Sequence, residues 1–348
     1  MTGIHNIKYN NFDFLRLFAA FQVMFGHIMY NIKPNNILCD YLAIFLNNFN
    51  GVTIFFLISG FLISYSYDRN SNLIMYYKNR ILRIYPALYV NILIGIVLLY
   101  CFYPFDFNLD FFSWLFSQLT FLQFYNFNAS KIFGAGEINA PLWTISIELF
   151  FYISLPIIFW IYKKSRYMLL IFFAISIVFF IYNRFSDHNL FINKLINVSI
   201  APYMFIFLIG FYFYKYINYI YIYIHNHFFI YMFIYLIFKL LDHYMQNIII
   251  HILTNYIIFS FVVFSFAFSF SRINNIFKNN DFTYGIYIYH SFFVNIFVEL
   301  GCIQNYKYAL LIILFSVISG ILSWFLIEKP ALRLKNNSLY SLRLQQNE

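Results

Sequence analysis

Ten apolar runs constrain this chain more than any other feature. They fall at about 12–32, 42–66, 84–103, 142–162, 167–183, 195–214, 226–241, 248–270, 283–300 and 308–327. Most approach or exceed the ~20 residues a helix needs to cross a hydrocarbon core. Inside lipid the backbone has no water to bind, so it must satisfy its own amides, and continuous runs of this length do so as helices. The expected fold is all-α: a polytopic membrane helix bundle of about ten transmembrane helices. The seventh run is short and contains Lys239. With 62% hydrophobic and 10% charged residues the chain falls outside the soluble domains, in which about a quarter of residues are charged.

Charge orients the bundle. With the N-terminus inside, sixteen of the 22 Lys and Arg residues are cytoplasmic, and Lys33, Lys131, Arg184, Lys194, Lys239 and Lys307 lie outside. The positive-inside rule then places both termini in the cytoplasm. It also explains the net charge of +9 without a nucleic-acid partner. A single transmembrane domain is expected over 1–335, with a polar cytoplasmic tail at 336–348. The first run lacks a basic n-region and a small-residue cleavage site, so it reads as retained. Cys39, Cys101 and Cys302 are odd in number and widely spaced, and imply neither a disulfide framework nor a metal site. The longest outer connection, 104–141, carries an aromatic amphipathic stretch and a turn at Gly134-Ala-Gly136. It reads either as a roof over the bundle or as an interfacial anchor.

The first run contains Asp13, Arg16 and His27 among apolar residues. Eleven residues separate Arg16 from His27, about 20° past three full turns, so both leave one helix face roughly 16 Å apart. Asp13 is placed to pair with Arg16. Ionisable groups at such depth are costly and usually functional. A snorkelling Arg16 and a lone interhelical hydrogen bond from His27 are the structural alternative.

Four further clusters follow. Gly51, Ser59 and Gly60 in the second run suit close helix packing. Arg80 and Arg83 share a helix face at the cytoplasmic boundary, where two guanidiniums suit a phosphate-rich ligand or lipid headgroups. The fourth run opens Pro141-Leu-Trp143-Thr-Ile-Ser146-Ile-Glu148. Its Glu148 sits about two turns into the membrane and needs a partner or a cavity. The ninth run carries Tyr287 and His290, a second intramembrane imidazole. The last closes on Glu328-Lys-Pro330, where Glu328 is placed to pair with an arginine.

Taken in order, these clusters resemble the acyltransferase 3 family of integral membrane O-acyltransferases, from Asp13 to Pro330. The family's basic residue, ten residues and His match Arg16 to His27. Its Arg-x-x-Arg matches Arg80 and Arg83. Its Gly-Val-x-x-Phe-Phe-x-x-Ser-Gly-Phe-Leu-Ile matches 51–63. Its Trp-x-x-Ser-x-Glu matches Trp143, Ser146 and Glu148. Its Tyr-x-x-His matches Tyr287 and His290, and its Glu-x-Pro matches Glu328 and Pro330. Thr53 stands where relatives often have Asp, and no stretch reads as the hydrolase-like domain fused to many of them.

The resemblance implies transfer of an acyl group, usually acetyl from acetyl-CoA, to a hydroxyl of a cell-surface polysaccharide such as an O-antigen. It implies a multi-pass enzyme of the bacterial cytoplasmic (inner) membrane with no permanently bound cofactor. Its partners would be acyl-CoA, a glycan or lipid-linked glycan acceptor and membrane lipids. On that reading His27 is general base or transient acyl carrier, and Glu148 and His290 orient it or the acceptor. Arg80 and Arg83, with Arg16, would hold the donor phosphates. Asp13, Trp143, Ser146, Tyr287 and Glu328 would support them. Three rivals stay open: a transporter or flippase of lipid-linked glycans, for which internal symmetry is expected, a non-catalytic partner protein, and another membrane transferase such as a glycan polymerase.

Overall fold

A computed structural model describes residues 10–186, 191–270, 273 and 280–334. The expected tail at 336–348 lies outside them. The described residues form helices and no strand: α1 (Phe12–Asn31), α2 (Ile37–Leu46), α3 (Gly51–Arg69), α4 (Leu73–Phe102), α5 (Leu109–Leu119), α6 (Trp143–Lys164), α7 (Arg166–Phe185), α8 (Phe191–Asn197), α9 (Met204–Lys215), α10 (Ile217–Ile224), α11 (Phe228–Met245), α12 (Ile248–Ile252), α13 (Phe259–Ser269), α14 (Thr283–Glu299) and α15 (Tyr306–Ser323). Eight spans among the described residues are long and apolar enough to cross a membrane. A ninth is the bent pair α9 and α10, turned through 93°. The 17-residue α14 is slightly shorter than these. The chain is an integral, multi-pass, all-α membrane protein.

Three boundaries differ from expectation, the first being the run at 42–66, which is divided between α2 and α3 at 47–50. α4 begins at Leu73, where the Asn72 side chain accepts from the Met75 amide and caps the helix. Arg80 and Arg83 therefore lie on a helix, as expected, in the part of α4 that precedes the apolar run. The sixth run was expected from 195, but its long helix starts only at Met204. Residues 191–203 before it form α8 and turns.

The contacts group into two units. The first comprises 1–19, 50–69 and 147–279; the second comprises 20–49, 70–146 and 280–348. α1 and α6 contribute residues to both.

The first unit is built on α3 against α9. A Cβ at Gly60 would lie 2.1 Å from the Phe207 carbonyl oxygen, and one at Gly210 would lie 2.2 Å from that of Leu57. Only glycine permits this approach, which suits lipid, where close packing replaces water-driven burial. Rings fill the rest: Phe151 stacks on Phe207 at 4.4 Å and Phe213 on Phe264 at 4.2 Å. Asn11 caps the end of α13, its backbone N–H donating to Ala267 O and its side chain to Phe266 O.

In the second unit α14 packs on α15 through another glycine pair, where a Cβ at Gly285 would lie 2.8 Å from Gly320 Cα. The connection 104–141 folds around α5, whose Phe111 and Trp114 are buried. It is strapped to α14. Gly134 N–H donates to Glu299 Oε2 at 2.8 Å, and Ala135 N–H donates to Asn295 Oδ1 at 3.0 Å. Asn295 Nδ2 donates in turn to the carbonyls of Glu137 and Ile138. Gly134, at φ +55°, makes the required left-handed turn.

Candidate active site

Two imidazoles meet inside the second unit. His27 comes from α1 and His290 from α14, with ring centroids 5.1 Å apart and planes at 65°. His290 Nε2 lies 3.4 Å from His27 Nδ1. His290 is fully buried, while His27 is half-buried. The network assigns the protons. His290 Nδ1 lies 3.3 Å from Ile286 O, which can only accept. That nitrogen therefore carries the hydrogen, and in the neutral ring Nε2 becomes an acceptor. His27 Nδ1 must then donate to it. His27 Nε2 is left as the lone-pair nitrogen of the pair, the form a general base requires.

The guanidiniums sit on the same unit. Arg83 Nη2 is 2.7 Å from Asp281 Oδ2, just before α14 begins. The Arg80 guanidinium lies 5.6 Å from the centroid of the Tyr76 ring. Nine residues separate Asp281 from His290, so the ion pair lies roughly 13 Å along α14 from the imidazoles. Glu328 is buried and accepts a 2.8 Å bond from Ser323. It feels both Asp281 and Arg83, but its described hydrogen bond is to the serine rather than to an arginine.

Other candidates have different surroundings. Arg16 and Asp13 form the expected pair at 3.5 Å, in the part of α1 that belongs to the first unit. Glu148 also belongs to the first unit, where Ser59 donates to it at 3.5 Å and Tyr152, one turn on, makes a short bond. The serine of one expected motif thus meets the carboxylate of another. Ser146 is bonded to Gln123, accepting from its N–H and donating to its Oε1. Tyr287 and Thr144 hydroxyls lie 2.7 Å apart. Trp143 begins α6 after the turn Ala140–Leu142. Ser146 and Tyr287 therefore anchor the start of α6.

Sequence reasoning missed Asp281, Asn91 and Asn139. Asn91 and Asn139 each donate to Ile288 O at 2.7 Å, and Asn139 also donates to Asn91 Oδ1 at 2.9 Å. A lone amide inside an apolar run, as at Val90-Asn91-Ile92, was the available signal.

The sequence model described as an acyltransferase domain matches residues 9–328. The chain belongs to the acyltransferase 3 family. It is 28% identical over 358 residues to nodulation protein 10 of Rhizobium leguminosarum bv. viciae, covering 96% of each chain. No solved structure matches it. Family membership makes the chain a membrane acyltransferase, which favours the transferase over the flippase and the non-catalytic partner.

Proposed function

We propose that this acyltransferase moves an acetyl group from cytoplasmic acetyl-CoA to a hydroxyl of a cell-surface polysaccharide such as an O-antigen, in the bacterial inner membrane with both termini cytoplasmic. The observation that carries the reading is the His27–His290 contact, which leaves His27 Nε2 with its lone pair inside a membrane unit. His27 Nε2 takes the proton as the acceptor oxygen attacks the thioester carbonyl. The carbon–sulfur bond then breaks, and the proton passes to the departing thiolate, so the imidazole ends as it began. His290 acts as a positioning residue: it fixes the His27 tautomer and steadies the imidazolium while it carries the proton. Arg80 and Arg83 bind the donor's phosphates. The spacing of Arg83 from the imidazoles along α14 suits the length of a pantetheine arm. Asp281 holds Arg83 oriented until phosphate displaces it. Glu148, bonded to Ser59 and Tyr152, is a supporting carboxylate in this scheme.

The test is purified protein in lipid nanodiscs with acetyl-labelled acetyl-CoA and the cell's own polysaccharide, alongside NMR of the surface glycan from cells with and without the protein. Label in ester linkage, and an O-acetyl resonance that depends on the chain, are the expected results. A glycan with identical ester content in both strains overturns the reading.

A further inference from the structure

Within the second unit a small cavity is lined by Asn91, Trp114, Gln118, Gln123, Asn126 and Asn139. It has room for about one water-sized group. Its polar lining is made of amides and one indole, with no ionisable side chain among the lining residues.

Most of the amides are already committed. Gln118 Nε2 donates to the carbonyls of Gln123 and Tyr125, and Gln123 Nε2 donates to those of Gln118 and Thr120. Asn139 is the exception. Both its known bonds use Nδ2, toward Asn91 Oδ1 and Ile288 O. Flipping the amide would set its oxygen against two acceptors, so the orientation is fixed. Asn139 Oδ1 is left buried with no hydrogen-bond partner, on a residue only 8% exposed. A buried acceptor without a donor costs roughly 1–3 kcal/mol. The site is therefore short of one O–H or N–H group of about water size.

The chemistry narrows the class. A cationic donor would have no counter-charge among these amides, and an anion would meet an orphaned oxygen. A neutral hydroxyl fits both the size and the polarity. Amides that donate and accept, beside an aromatic ring, are the side chains that suit a neutral polyhydroxyl ligand. The carboxyl nearest the rim, Glu137, is hydrogen-bonded to Asn126, and its burial favours the neutral acid over a counter-charge.

Position decides which hydroxyl is meant. Tyr287, Ile288 and Asn295 are hydrogen-bonded to the 134–144 segment. None of the lining residues shares a described hydrogen bond with His27 or His290, so a group held in the cavity is assigned to recognition rather than to the transfer step. We propose that the cavity is a recognition subsite for a non-reacting hydroxyl of a neutral sugar residue in the acceptor, which donates to Asn139 Oδ1. The inference rests on the acceptor being a glycan, as proposed above, and adds the residue that reads it.

The test uses methyl glycosides prepared from the cell's own surface polysaccharide, with protein in nanodiscs and saturation-transfer NMR. Two variants are compared. Asn139→Leu removes the orphan acceptor. Asn126→Phe fills the rim and leaves the Asn139–Asn91–Ile288 bonds in place, so it answers the question if the first variant misfolds. At least one neutral glycoside is expected to bind saturably, about tenfold more weakly in each folded variant. Acceptor KM should rise about tenfold more than donor KM. No binding by any glycoside, or binding unchanged in Asn126→Phe, means the cavity holds water only and overturns the proposal. The two readings fail separately. Glycoside binding without label transfer from acetyl-CoA sinks the reaction and keeps the subsite. Label transfer with acceptor KM unaltered in Asn126→Phe sinks the subsite and keeps the reaction.

Discussion

The two units hold themselves together in opposite ways. The first closes α3 on α9 through glycine and fills its interior with phenylalanine. The second keeps buried His290, Asn91, Asn139, Asn295 and Glu328 in its interior, nearly all joined by hydrogen bonds. Burying that many polar groups gives less stability than apolar packing of equal volume. The buried polar side chains of the first unit are mostly serine and threonine hydroxyls, whereas the second buries an imidazole, a carboxyl and several amides.

The largest effect is expected where the scaffold is tightest. Gly60→Val puts a branched side chain where even a Cβ would lie 2.1 Å from a backbone oxygen that cannot swing aside. Folded, detergent-stable protein should be lost altogether, as read by size-exclusion yield. A monodisperse Gly60→Val protein would show that the α3–α9 contact is not what holds the first unit.

Next comes the chemistry of the second unit. His27→Ala should lower acyl transfer by about 10²–10⁴-fold, the usual worth of a general base, with folded protein still recovered at a modestly lower melting temperature because buried His290 Nε2 loses its donor. Activity within threefold of the parent would remove His27 from the mechanism. His290→Gln should cost less, since a glutamine can still accept from His27 Nδ1. The distinguishing readout is a pH–rate profile whose acidic limb, set by deprotonation of the base, moves while donor KM does not.

A smaller change is expected at the Arg83–Asp281 pair. Arg83→Lys keeps a cation for Asp281 but loses the planar fork that matches phosphate. Donor KM should rise about tenfold with kcat nearly unchanged. Asp281→Asn removes one anion from the guanidinium, and donor KM should fall or hold. If both variants leave donor KM unmoved, the Arg83–Asp281 pair is structural and the phosphates bind elsewhere.

The sequence made some of this legible. Apolar run length located most of the spans within a few residues, because lipid forces one backbone solution. The Arg16–Asp13 pair and the role of Gly60 followed from helix spacing and residue size. The His27–His290 contact did not. Each imidazole stood alone in its own run, and 263 positions separate them, so only tertiary packing could join them. Glu148 needed a partner, and Tyr152, four residues on along the same helix, was within reach, but nothing in spacing pointed to Ser59. Asp281 and Asn139 lie at the ends of runs, where a polar residue looks like ordinary capping. The starts of α4 and α9 shifted because capping by Asn72 and the turns before Met204 are local events that hydropathy does not register.

The smallest expected effects concern two carboxyls in the connection 104–141, and they have opposite signs. Asp110 accepts from the Asn128 backbone N–H and the Tyr125 hydroxyl, both at 3.0 Å. The amide bond first, then the hydroxyl and the charge of Lys131, hold its pKa below the ordinary 3.8. A depressed carboxyl favours the fold above its unfolded pKa. That contribution is therefore intact at neutral pH and is lost as pH falls below about 3.8. Glu137 is the reverse. Burial raises its pKa above 4.5, against the opposing bond from Asn126. The folded state holds that proton more tightly, so its ionised form opposes folding at neutral pH. The penalty fades as pH falls through the raised value. Glu137→Gln should therefore raise the melting temperature by a degree or two at pH 7.5 and by less at pH 4.5. Asp110→Asn should speed hydrogen exchange at the Asn128 amide at pH 7.5, with the gap from the parent closing toward pH 3.5. If the two substitutions shift stability in the same direction at pH 7.5, the connection is not strapped as described. The roof over α14 would then be held by apolar contacts alone, as the first unit is.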